Sequence, residues 1–258
     1  MKKVICLMAS ARKKGTHYAA SRFMEKLEAY GNVKTEMIQL DDYRIETCRG
    51  CQVCFAKGET YCPLKDDRDV LIQKMMAADG VIFATPNYAF QVAGFLKIFI
   101  ERLGYALHRP QFFGKIFTSI VVQGIYGGNE IKKYLDFIGS GLGFNTVKGS
   151  VITALQPITE SEKRKIDKIL SKQSAIYYKK LFKFAYPKPS LFRLMAFRMG
   201  RTSIRLELTE RDRDFNYYRE KGWFKADYYY PVRLGIFQKL AGTLFDETAR
   251  LTSKSRHT

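Results

Sequence analysis

The first 155 residues alternate between short continuous apolar runs and stretches in which apolar residues recur every three or four positions. A short apolar run without polar alternation is typical of a strand that is covered on both faces. The predicted strands are Val4–Met8, Lys34–Leu40, Gly80–Thr85, Phe117–Gln123 and Phe144–Ile152. The predicted helices cover residues 16–30, 67–78, 91–104, 128–140 and 160–184. In the helix over 67–78, Val70, Leu71, Met75 and Met76 are expected to face the core.

Strands and helices that alternate in this way form a parallel, doubly wound sheet with helices on both faces. Sheets of this kind bind ligands beyond the carboxyl ends of their strands, at the point where the strand order reverses. The loops after the first, third and fourth strands are therefore the candidates for a binding site. The loop over residues 41–66, after the second strand, is predicted to be long and irregular.

The loop after the first strand, residues 9–17, carries hydroxyl groups, cations and a glycine directly before a helix. Free N–H groups and the dipole at a helix N-terminus favour a phosphate at such a position. Neither the Walker pattern nor G-x-G-x-x-G is present, so the loop is not a standard triphosphate or dinucleotide loop. Its hydroxyl groups suit a terminal monophosphate such as that of FMN. The alternative is a Ser or Thr helix cap beside solvated lysines.

Aromatic and glycine residues occupy the loops after the third and fourth strands. Tyr88, in residues 85–90, can stack on a flat ring system. Gly124, Gly127 and Gly128 let the backbone after the fourth strand approach a ligand closely. Alone, the loop after the third strand is better explained as an ordinary strand-to-helix turn, and the glycines after the fourth strand could equally serve a tight turn. All three loops, however, fall on the same edge of the predicted sheet. Their coincidence favours a flavin site.

Three segments match one known pattern in combination. They are Ser10-x-Arg12 with Gly15-Thr16, Ala84-Thr85-Pro86-Asn87-Tyr88, and Leu96-Lys97-x-Phe99-Ile100-Glu101-Arg102. Together they resemble the NADPH-dependent FMN reductases of flavodoxin-like fold, and the resemblance covers residues 1–155. It implies a five-stranded parallel sheet of order 2-1-3-4-5, noncovalently bound FMN, hydride from NADPH or NADH, and a homodimer or homotetramer. Ala9 and Ala11 stand where that family usually has glycine and proline, and His17 where asparagine is common.

The resemblance also implies a set of cofactor-binding residues. The FMN phosphate is assigned to Ser10, Arg12, Gly15, Thr16 and His17. The isoalloxazine ring is assigned to Pro86, Asn87, Tyr88 and the segment of Gly124, Tyr126, Gly127 and Gly128, with Ala89, Phe90 and Gln123 counted among the cofactor-binding residues. Since the flavin carries out the redox step, no protein nucleophile or general base is expected. On the following helix, Lys97 and Arg102 are expected to belong to a salt-bridged surface rather than to contact a partner subunit or cofactor phosphates.

Four of the five cysteines lie in the 41–66 loop, at Cys48, Cys51, Cys54 and Cys62. The C-x2-C-x2-C run favours an iron–sulfur cluster, since structural zinc usually takes two separated C-x2-C pairs. The spacing is similar to that of the iron–sulfur flavoproteins, a branch of the same family, which implies a [4Fe–4S] cluster that passes electrons to FMN. The alternative is that the free thiols pack as small apolar groups.

From Tyr186 to residue 258 the alternation ends, and we predict an aromatic, basic, mainly helical extension beyond a flavodoxin-like domain of residues 1–185. Residues 160–258 carry 23 basic and 11 acidic residues. Within the extension, residues 190–206 form a basic amphipathic helix, which can lie on anionic lipid or against another protein. For the aromatic stretch over residues 214–231, packing on the domain or on a neighbouring subunit is favoured, followed by a lid on the flavin pocket and then by peripheral membrane contact. Nucleic-acid binding comes last, since no nucleic-acid-binding motif is present.

The composition fits a globular protein, with 46% apolar and 27% charged residues and no apolar run as long as a membrane span. The first apolar run is too short for a signal peptide, so a cytoplasmic location is expected. The net charge of +19 attracts polyanions without choosing among them. We predict an FMN-dependent NAD(P)H oxidoreductase. The alternatives are a noncatalytic electron carrier or redox sensor without a nicotinamide site, and a zinc-stabilised binding module that uses the basic C-terminal region.

Overall fold

The computed structural model describes residues 1–183 and 185–254. The chain divides into two compact units. The first consists of residues 1–49 and 65–185, and the second of residues 50–64 and the chain from Tyr186 onward. Residues 255–258 of the predicted extension lie outside the described residues.

A parallel sheet forms the centre of the first unit, as predicted. Its strands are β1 Lys2–Met8, β2 Val33–Gln39, β3 Gly80–Pro86, β4 Ile116–Gln123, β5 Asn145–Thr146 and β6 Ser150–Thr153. The order is β2-β1-β3-β4-β5, with β6 also paired to β4, and every pairing is parallel. The predicted order 2-1-3-4-5 is therefore confirmed. The register sets Met8 beside Ala84 and Pro86 beside Val122, so the loops after β1, β3 and β4 leave from the same edge.

The last predicted strand differs from the prediction. A single strand over Phe144–Ile152 is wrong, because the segment is split into β5 and β6, which pair with the two ends of β4. Between them the backbone N–H of Gly149 donates to Asp136 at 3.1 Å instead of to the sheet. A Cβ at Gly149 would lie 2.1 Å from the Ser119 hydroxyl oxygen, so only glycine fits this close approach.

Helices cover both faces of the sheet. In this unit they are α1 Gly15–Ala29, α3 Arg68–Ala77, α4 Gly94–Arg102, α5 Gly104–His108, α6 Gly128–Gly141 and α7 Glu160–Phe182. On one face, α1 and α7 bury Phe23 and Tyr177 against the sheet, with the ring centroids 5.8 Å apart. On the other face, Phe83 and Phe117 meet edge to face at 5.0 Å. The burial of large apolar groups on both sides explains why the strand sequences show no polar alternation.

Two helix predictions need correction. The helix predicted over 91–104 begins later, at Gly94, and a separate short helix, α5, follows it. In α3, Leu71 and Met75 are buried as predicted, but Val70 and Met76 are exposed. Leu71 and Met75 are four residues apart and share one helix face, whereas Val70 and Met76 flank that face.

The second unit contains a short helix from the 41–66 loop, α2 Val53–Ala56, and three helices of the C-terminal region, α8 Leu191–Glu207, α9 Arg213–Glu220 and α10 Ile236–Lys254. The loop is thus not wholly irregular, since it also contains 3-10 turns at Leu40–Asp42 and Glu59–Tyr61. Trp223 anchors an aromatic core in this unit. Its indole N–H donates to the carbonyl of Tyr229 at 3.0 Å, and Tyr218 meets its ring edge to face.

The basic amphipathic helix predicted over 190–206 corresponds to α8, and Ser190 caps it by accepting the N–H of Arg193. Part of its basic face lies against α10. Arg201 donates two hydrogen bonds to the Asp246 carboxylate, both at 2.7 Å, and Arg198 pairs with Asp246 as well. The cations of this face therefore partly serve to join α8 to α10. Among the helices of the described residues, none combines the length and the hydropathy that a transmembrane span requires.

Candidate functional site

The loops at the carboxyl edge of the sheet enclose a cleft of about 330 Å³. Its lining comes from the loop after β1, the ends of β3 and β4 with the loops that follow them, and the segment after β6. The lining residues are Ser10, Arg12, Lys14, Gly15, Thr16, Pro86, Asn87, Tyr88, Val122, Gln123, Gly124, Ala154 and Gln156. None of them is acidic, so the charged groups of the cleft are the cations of Arg12 and Lys14.

The N-terminus of α1 forms one wall of this cleft. The N-cap residue is Lys14, which makes no side-chain capping hydrogen bond, and the first turn carries no acidic residue. The alternative of a Ser or Thr cap at this helix is therefore excluded. The first four N–H groups of a helix have no partner within it, so this end of α1 offers donors and a positive dipole to an anion.

Arg12 and Tyr88 join two of the loops across the cleft. A guanidinium N–H of Arg12 donates to the phenol oxygen of Tyr88 at 3.0 Å, and the guanidinium carbon lies 5.9 Å from the centre of the tyrosine ring. Ser10 is held in the same loop, since its hydroxyl donates to the carbonyl of Arg12 at 3.1 Å. The loop after β1 is thereby fixed to the loop after β3.

Asn87 presents an unused acceptor. Its backbone N–H donates to the carbonyl of Val122 at 2.7 Å, and its side-chain NH2 donates to the carbonyl of Tyr126 at 2.8 Å. The amide oxygen, Oδ1, is buried and accepts no hydrogen bond from the protein. A buried acceptor without a partner is costly, so this atom is suited to an N–H donor on a ligand.

Gln123 braces the glycine-containing loop with its side chain. Oε1 accepts the N–H of Gly128 at 2.7 Å, while Nε2 donates to the carbonyl of Ile125 and to the hydroxyl of Thr153, both at 3.0 Å. These bonds occupy both ends of the side-chain amide. Gln123 therefore lines the cleft and also holds the loop after β4 in place.

A tight turn projects from the loop after β3. Tyr88 and Gln91 exchange backbone hydrogen bonds at 3.0 Å, and the two residues between them, Ala89 and Phe90, both have positive φ, at 48° and 61°. Two successive non-glycine residues in the left-handed region are strained and need support from their surroundings. That support includes Gly127, where a Cβ would lie 2.6 Å from the Phe90 ring.

The structure brings together nine of the fifteen residues that the sequence assigned to the cofactor. Those that line the cleft are Ser10, Arg12, Gly15, Thr16, Pro86, Asn87, Tyr88, Gln123 and Gly124. The others are not among its lining residues in the described structure; they are His17, Ala89, Phe90, Tyr126, Gly127 and Gly128. The ring of His17 lies 3.4 Å from the Ser21 hydroxyl, one turn further along α1.

Four lining residues were absent from the assignment, namely Lys14, Val122, Ala154 and Gln156. Lys14 belongs to the loop after β1, which the sequence already assigned to the phosphate. Its position directly before Gly15, at the start of the predicted helix, could have identified it as a cofactor-binding residue. Ala154 and Gln156 follow β6, whose carboxyl end lies beside that of β4. Since all strands of a parallel sheet end at one edge, the loop after the last strand was a candidate on the same grounds as the other three.

Both ends of the cysteine-containing segment are fastened to the first unit by residues that we call the loop neck, namely Arg44, Glu46, Asp66 and Asp67. The backbone N–H of Asp67 donates to the carbonyl of Arg44 at 2.9 Å, and the backbone N–H of Arg44 donates to the Asp67 carboxylate at 2.8 Å. The N–H of Glu46 donates to the Asp66 carboxylate at 2.8 Å. Arg102 of α4 contacts both ends of the loop, since it donates to the carbonyl of Glu46 and pairs with the Asp66 carboxylate.

Arg102 and Asp66 form a buried ion pair, with side chains only 2% and 1% exposed. The prediction that Arg102 belongs to a salt-bridged surface is therefore wrong. Burial works to raise the pKa of Asp66, but hydrogen bonds from Arg102 and from the backbone of Glu46 outweigh it and hold that pKa below its ordinary value. Lys97 does pair with Glu101 at the surface, as predicted.

Of the four loop cysteines, Cys48 and Cys51 are exposed, and Cys54 and Cys62 are half-buried. Nowhere in the described ranges do three or more Cys, His, Asp or Glu side chains gather as a metal site would require. The fifth cysteine, Cys6, lies in β1, where burial raises the pKa of its thiol to about 12. Cys6 therefore belongs to the core.

In the second unit, residues 50–64 pack against α9 of the C-terminal region. Gly58, with φ +118°, lies under the aliphatic stem of Arg213, whose Cγ is 3.5 Å from the position of a Cβ on this glycine. The Arg213 guanidinium pairs with Glu220 at 2.9 Å. The segment between Cys54 and Cys62 is thus supported by the C-terminal region.

Comparison with known proteins identifies the family. The family model of the NADPH-dependent FMN reductases matches residues 2–156. An iron–sulfur flavoprotein of Archaeoglobus fulgidus is 32% identical over 163 residues, which are 58% of this chain and 71% of that protein. A second iron–sulfur flavoprotein of the same organism is 29% identical over 158 residues, covering 61% of this chain and 76% of that protein.

Solved structures share the fold at low sequence identity. RosB, solved with a bound intermediate, is similar over 92% of both chains with a TM-score of 0.59 and 12% identity. A flavone reductase is similar over 72% of this chain and 66% of its own, with a TM-score of 0.55 and 18% identity. With a sheet of order 2-1-3-4-5 and a family match over residues 2–156, the chain belongs to the NADPH-dependent FMN reductase family of oxidoreductases, in its iron–sulfur flavoprotein branch.

Proposed function

We propose that the cleft at the carboxyl edge of the sheet is the FMN site and that the chain transfers electrons through FMN from a nicotinamide donor to an acceptor. The observation that carries this proposal is the N-terminus of α1, which borders the cleft without a capping side chain or an acidic residue. A helix end of this kind is satisfied by an anion, and the phosphate of FMN supplies one.

The residues around this helix end fit a phosphate group. Ser10 and Thr16 are buried hydroxyl residues in the lining, and Lys14 and Arg12 contribute positive charge. Hydroxyl and N–H donors can bond several phosphate oxygens, and charge-assisted bonds of this type are stronger than neutral ones. We assign phosphate binding to Ser10, Arg12, Lys14 and Thr16.

The opposite wall fits the ring system. Tyr88 is a flat side chain whose orientation is fixed by Arg12, and the unpartnered Oδ1 of Asn87 can accept a hydrogen bond from an imide N–H. An isoalloxazine ring has such an N–H and a large flat apolar surface, so both features would find a partner in it. Pro86 and Gly124 complete this wall.

Bound FMN supplies the group that accepts hydride from the nicotinamide and passes electrons on. The chain's own residues bind and orient it. The lining residues include no histidine, carboxylate or cysteine in the described structure, so the side chains that face the cleft are those of binding and positioning groups. Gln123 and the strained turn at Ala89–Phe90 keep the loops in place around the ring.

The proposal is tested by measuring FMN content and reduction by nicotinamide in the purified protein. Protein saturated with FMN should contain one FMN per chain, and its flavin absorbance should bleach when NADPH or NADH is added without oxygen. Lys14→Ala should weaken FMN binding roughly tenfold, because a charged partner of the phosphate is lost. Lys13→Ala is the matched control, since Lys13 is exposed and is not among the lining residues.

Two results would count against this function. Equal effects of Lys14→Ala and Lys13→Ala would show that the phosphate is not at α1. Stoichiometric FMN that neither nicotinamide reduces would favour the alternative of an electron carrier or redox sensor.

We further propose that Cys48, Cys51, Cys54 and Cys62 hold a [4Fe–4S] cluster. The four thiols fit such a cluster in chemistry and spacing, and the relatives from Archaeoglobus fulgidus are named iron–sulfur flavoproteins. Ligand sites are rarely formed before the metal binds, so the loop would draw its thiols together on reconstitution. The loop neck supports this step, because it holds both ends of the segment while the interior rearranges.

Anaerobic reconstitution tests the cluster independently of flavin activity. We expect iron and sulfide in equal amounts and a broad visible absorption band in the FMN-free protein. Cys54→Ser should abolish the band, whereas Cys6→Ala should leave it intact because Cys6 lies in the core strand. Binding of zinc but not of iron and sulfide would contradict the cluster and favour a zinc-stabilised module.

A further inference from the structure

The outward face of helix α7 presents a row of lysines. Ile166, Leu170 and Tyr177 hold the opposite face of this helix against the sheet. At 3.6 residues per turn, five exposed lysines fall within about 60° of arc on the outward face and extend over about 27 Å. We call them the lysine row: Lys165, Lys168, Lys172, Lys179 and Lys183.

Carboxylates of the same helix do not neutralise this row. Residues 163–183 include eight basic residues and one acidic residue, Asp167. Asp167 lies off the row and accepts hydrogen bonds from Arg22 and Lys26 of α1, at 2.9 and 2.8 Å. Among the described residues, no ion pair includes a lysine of the row. The row therefore presents unbalanced positive charge along the helix.

The lysine row runs from one edge of the sheet to the other. Helix α7 begins near the carboxyl edge, where Thr159 and Glu162 form its capping box. Its later turns reach the amino edge, where the Tyr177 hydroxyl donates to the carbonyl of Ile116, the first residue of β4, at 3.4 Å. An anion that matched the whole row would have to extend over about 27 Å, which is far more than one phosphate group spans. The row therefore fits an extended anionic surface.

We propose that the lysine row is a docking surface for a bilayer that contains anionic lipids. Clusters of about four to eight cationic residues on one helix are typical of proteins that bind such lipids, and each lysine near the surface strengthens binding about fivefold. The net charge of +19 adds a long-range attraction to the same surface. A second copy of this chain is excluded as the occupant of this face, because two lysine rows would repel each other.

Two isoleucines distinguish a bilayer from a nucleic acid. Ile169 and Ile176 lie beside the lysine row and are 39% and 46% exposed. At a bilayer, such apolar side chains can reach the boundary of the acyl chains while the lysine ammonium groups stay among the phosphates. A nucleic acid offers this face only its phosphates, since the row contains no arginine, amide or aromatic side chain that would read or stack on a base. The isoleucines therefore gain a partner only at a bilayer.

Sedimentation of the full-length, FMN-saturated protein with vesicles tests the proposal. The protein should bind vesicles of phosphatidylcholine with about one third phosphatidylserine, but not vesicles of phosphatidylcholine alone. Lys172→Glu with Lys179→Glu should lower the partition coefficient at least about 25-fold, because two attractive charges become repulsive. Lys225→Glu with Lys239→Glu is the matched control. These exposed lysines lie outside α7, both double variants lower the net charge by four, and the control should change binding less than about fivefold.

A neutral substitution tests the apolar contribution. Ile176→Ser keeps every charge and should weaken binding to the phosphatidylserine vesicles roughly three- to tenfold. Circular dichroism and FMN content show whether each variant is folded, which separates loss of lipid binding from loss of the flavin site. Four results would each overturn the proposal: no binding of the wild type to these vesicles, equal effects of the two double variants, unchanged vesicle binding by Ile176→Ser, or displacement of the protein from the vesicles by a DNA duplex.

Discussion

The Arg12 guanidinium donates to the Tyr88 phenol oxygen at 3.0 Å, which ties the loop after β1 to the loop after β3. One loop carries the groups assigned to the phosphate and the other carries those assigned to the ring. The bond therefore sets the distance between the two ends of the proposed FMN site, and both of its partners belong to the protein. Preorganisation of this kind lowers the entropy that binding must overcome.

Removal of the Tyr88 hydroxyl should separate two contributions to FMN binding, namely the hydrogen bond that positions the loops and the stacking of the Tyr88 ring on the flavin. Tyr88→Phe keeps the ring but loses the hydrogen bond with Arg12, and we expect the dissociation constant of FMN to rise about 3- to 10-fold. Tyr126→Phe is the control, because Tyr126 lies on the neighbouring loop but is not among the lining residues. Quenching of FMN fluorescence measures both, and an unchanged affinity in Tyr88→Phe would mean that the bond does not position the site.

A methyl group at Gly127 should disturb the turn that carries Phe90. Gly127 has φ +93°, and its added Cβ would lie 2.6 Å from the Phe90 ring and 3.1 Å from Asn87 Nδ2. We expect Gly127→Ala to lower the free energy of unfolding by about 1–3 kcal/mol, from backbone strain and displacement of the ring.

The control for this substitution is Gly104→Ala. Gly104 begins α5, has no atom within 4 Å of a Cβ and has no positive φ, so alanine should be neutral or slightly stabilising there. Urea unfolding followed by circular dichroism compares the two variants. Equal stability of both would contradict the importance of the close approach at Gly127.

The buried pair of Asp66 and Arg102 should be essential to the loop neck. Asp66→Asn removes the carboxylate charge that pairs with the buried Arg102 guanidinium, and we expect a loss of about 3–5 kcal/mol in the free energy of unfolding. Glu101→Gln on the same helix breaks only the exposed pair with Lys97 and should cost less than about 1 kcal/mol. The double variant Asp66→Leu with Arg102→Met should recover part of the loss, because both charges of the buried pair are then removed together.

Acid should weaken this same pair. The pKa of Asp66 lies below its ordinary value of 3.8 in the folded chain, so the unfolded chain takes up the proton first as the pH falls. The stabilisation is therefore complete above that ordinary value and is lost as the pH falls through the lowered pKa. The difference in unfolding free energy between the wild type and Asp66→Asn should shrink from pH 7 to pH 3. A difference that stays constant would show that the carboxylate does not stabilise the fold as an ion.

The strands could be predicted from the sequence because each is a short apolar run. The common edge of the three loops could be predicted because the strands and helices alternate along the chain. The split between β5 and β6 could not, since it depends on the long-range bond from Gly149 to Asp136. The exposure of Val70 and Met76 was also missed, because both are apolar and only their angular position on α3 sets them apart.

Within the site, residue types indicated which loops form the cleft, but they did not indicate which side chains line it. Phe90 and Tyr126 carry the aromatic rings expected of a flavin pocket, yet their rings lie 5.2 Å from each other and neither residue lines the cleft. Gln156 follows β6 in a loop without a recognisable motif. It reaches the cleft only because β6 pairs with β4 and ends at the same edge of the sheet. The buried position of Arg102 depends on Asp66, which is 36 residues away in the chain.

The loop neck has a further consequence for how the cysteine segment can change. Its two ends are joined by hydrogen bonds within the folded first unit, so the entropy of closing this long loop is already spent when the sheet forms. The intervening residues can then be lengthened, shortened or rewritten with little effect on the stability of the sheet. Such a segment can change in length and in residue type while the sheet and the cleft at its carboxyl edge stay the same.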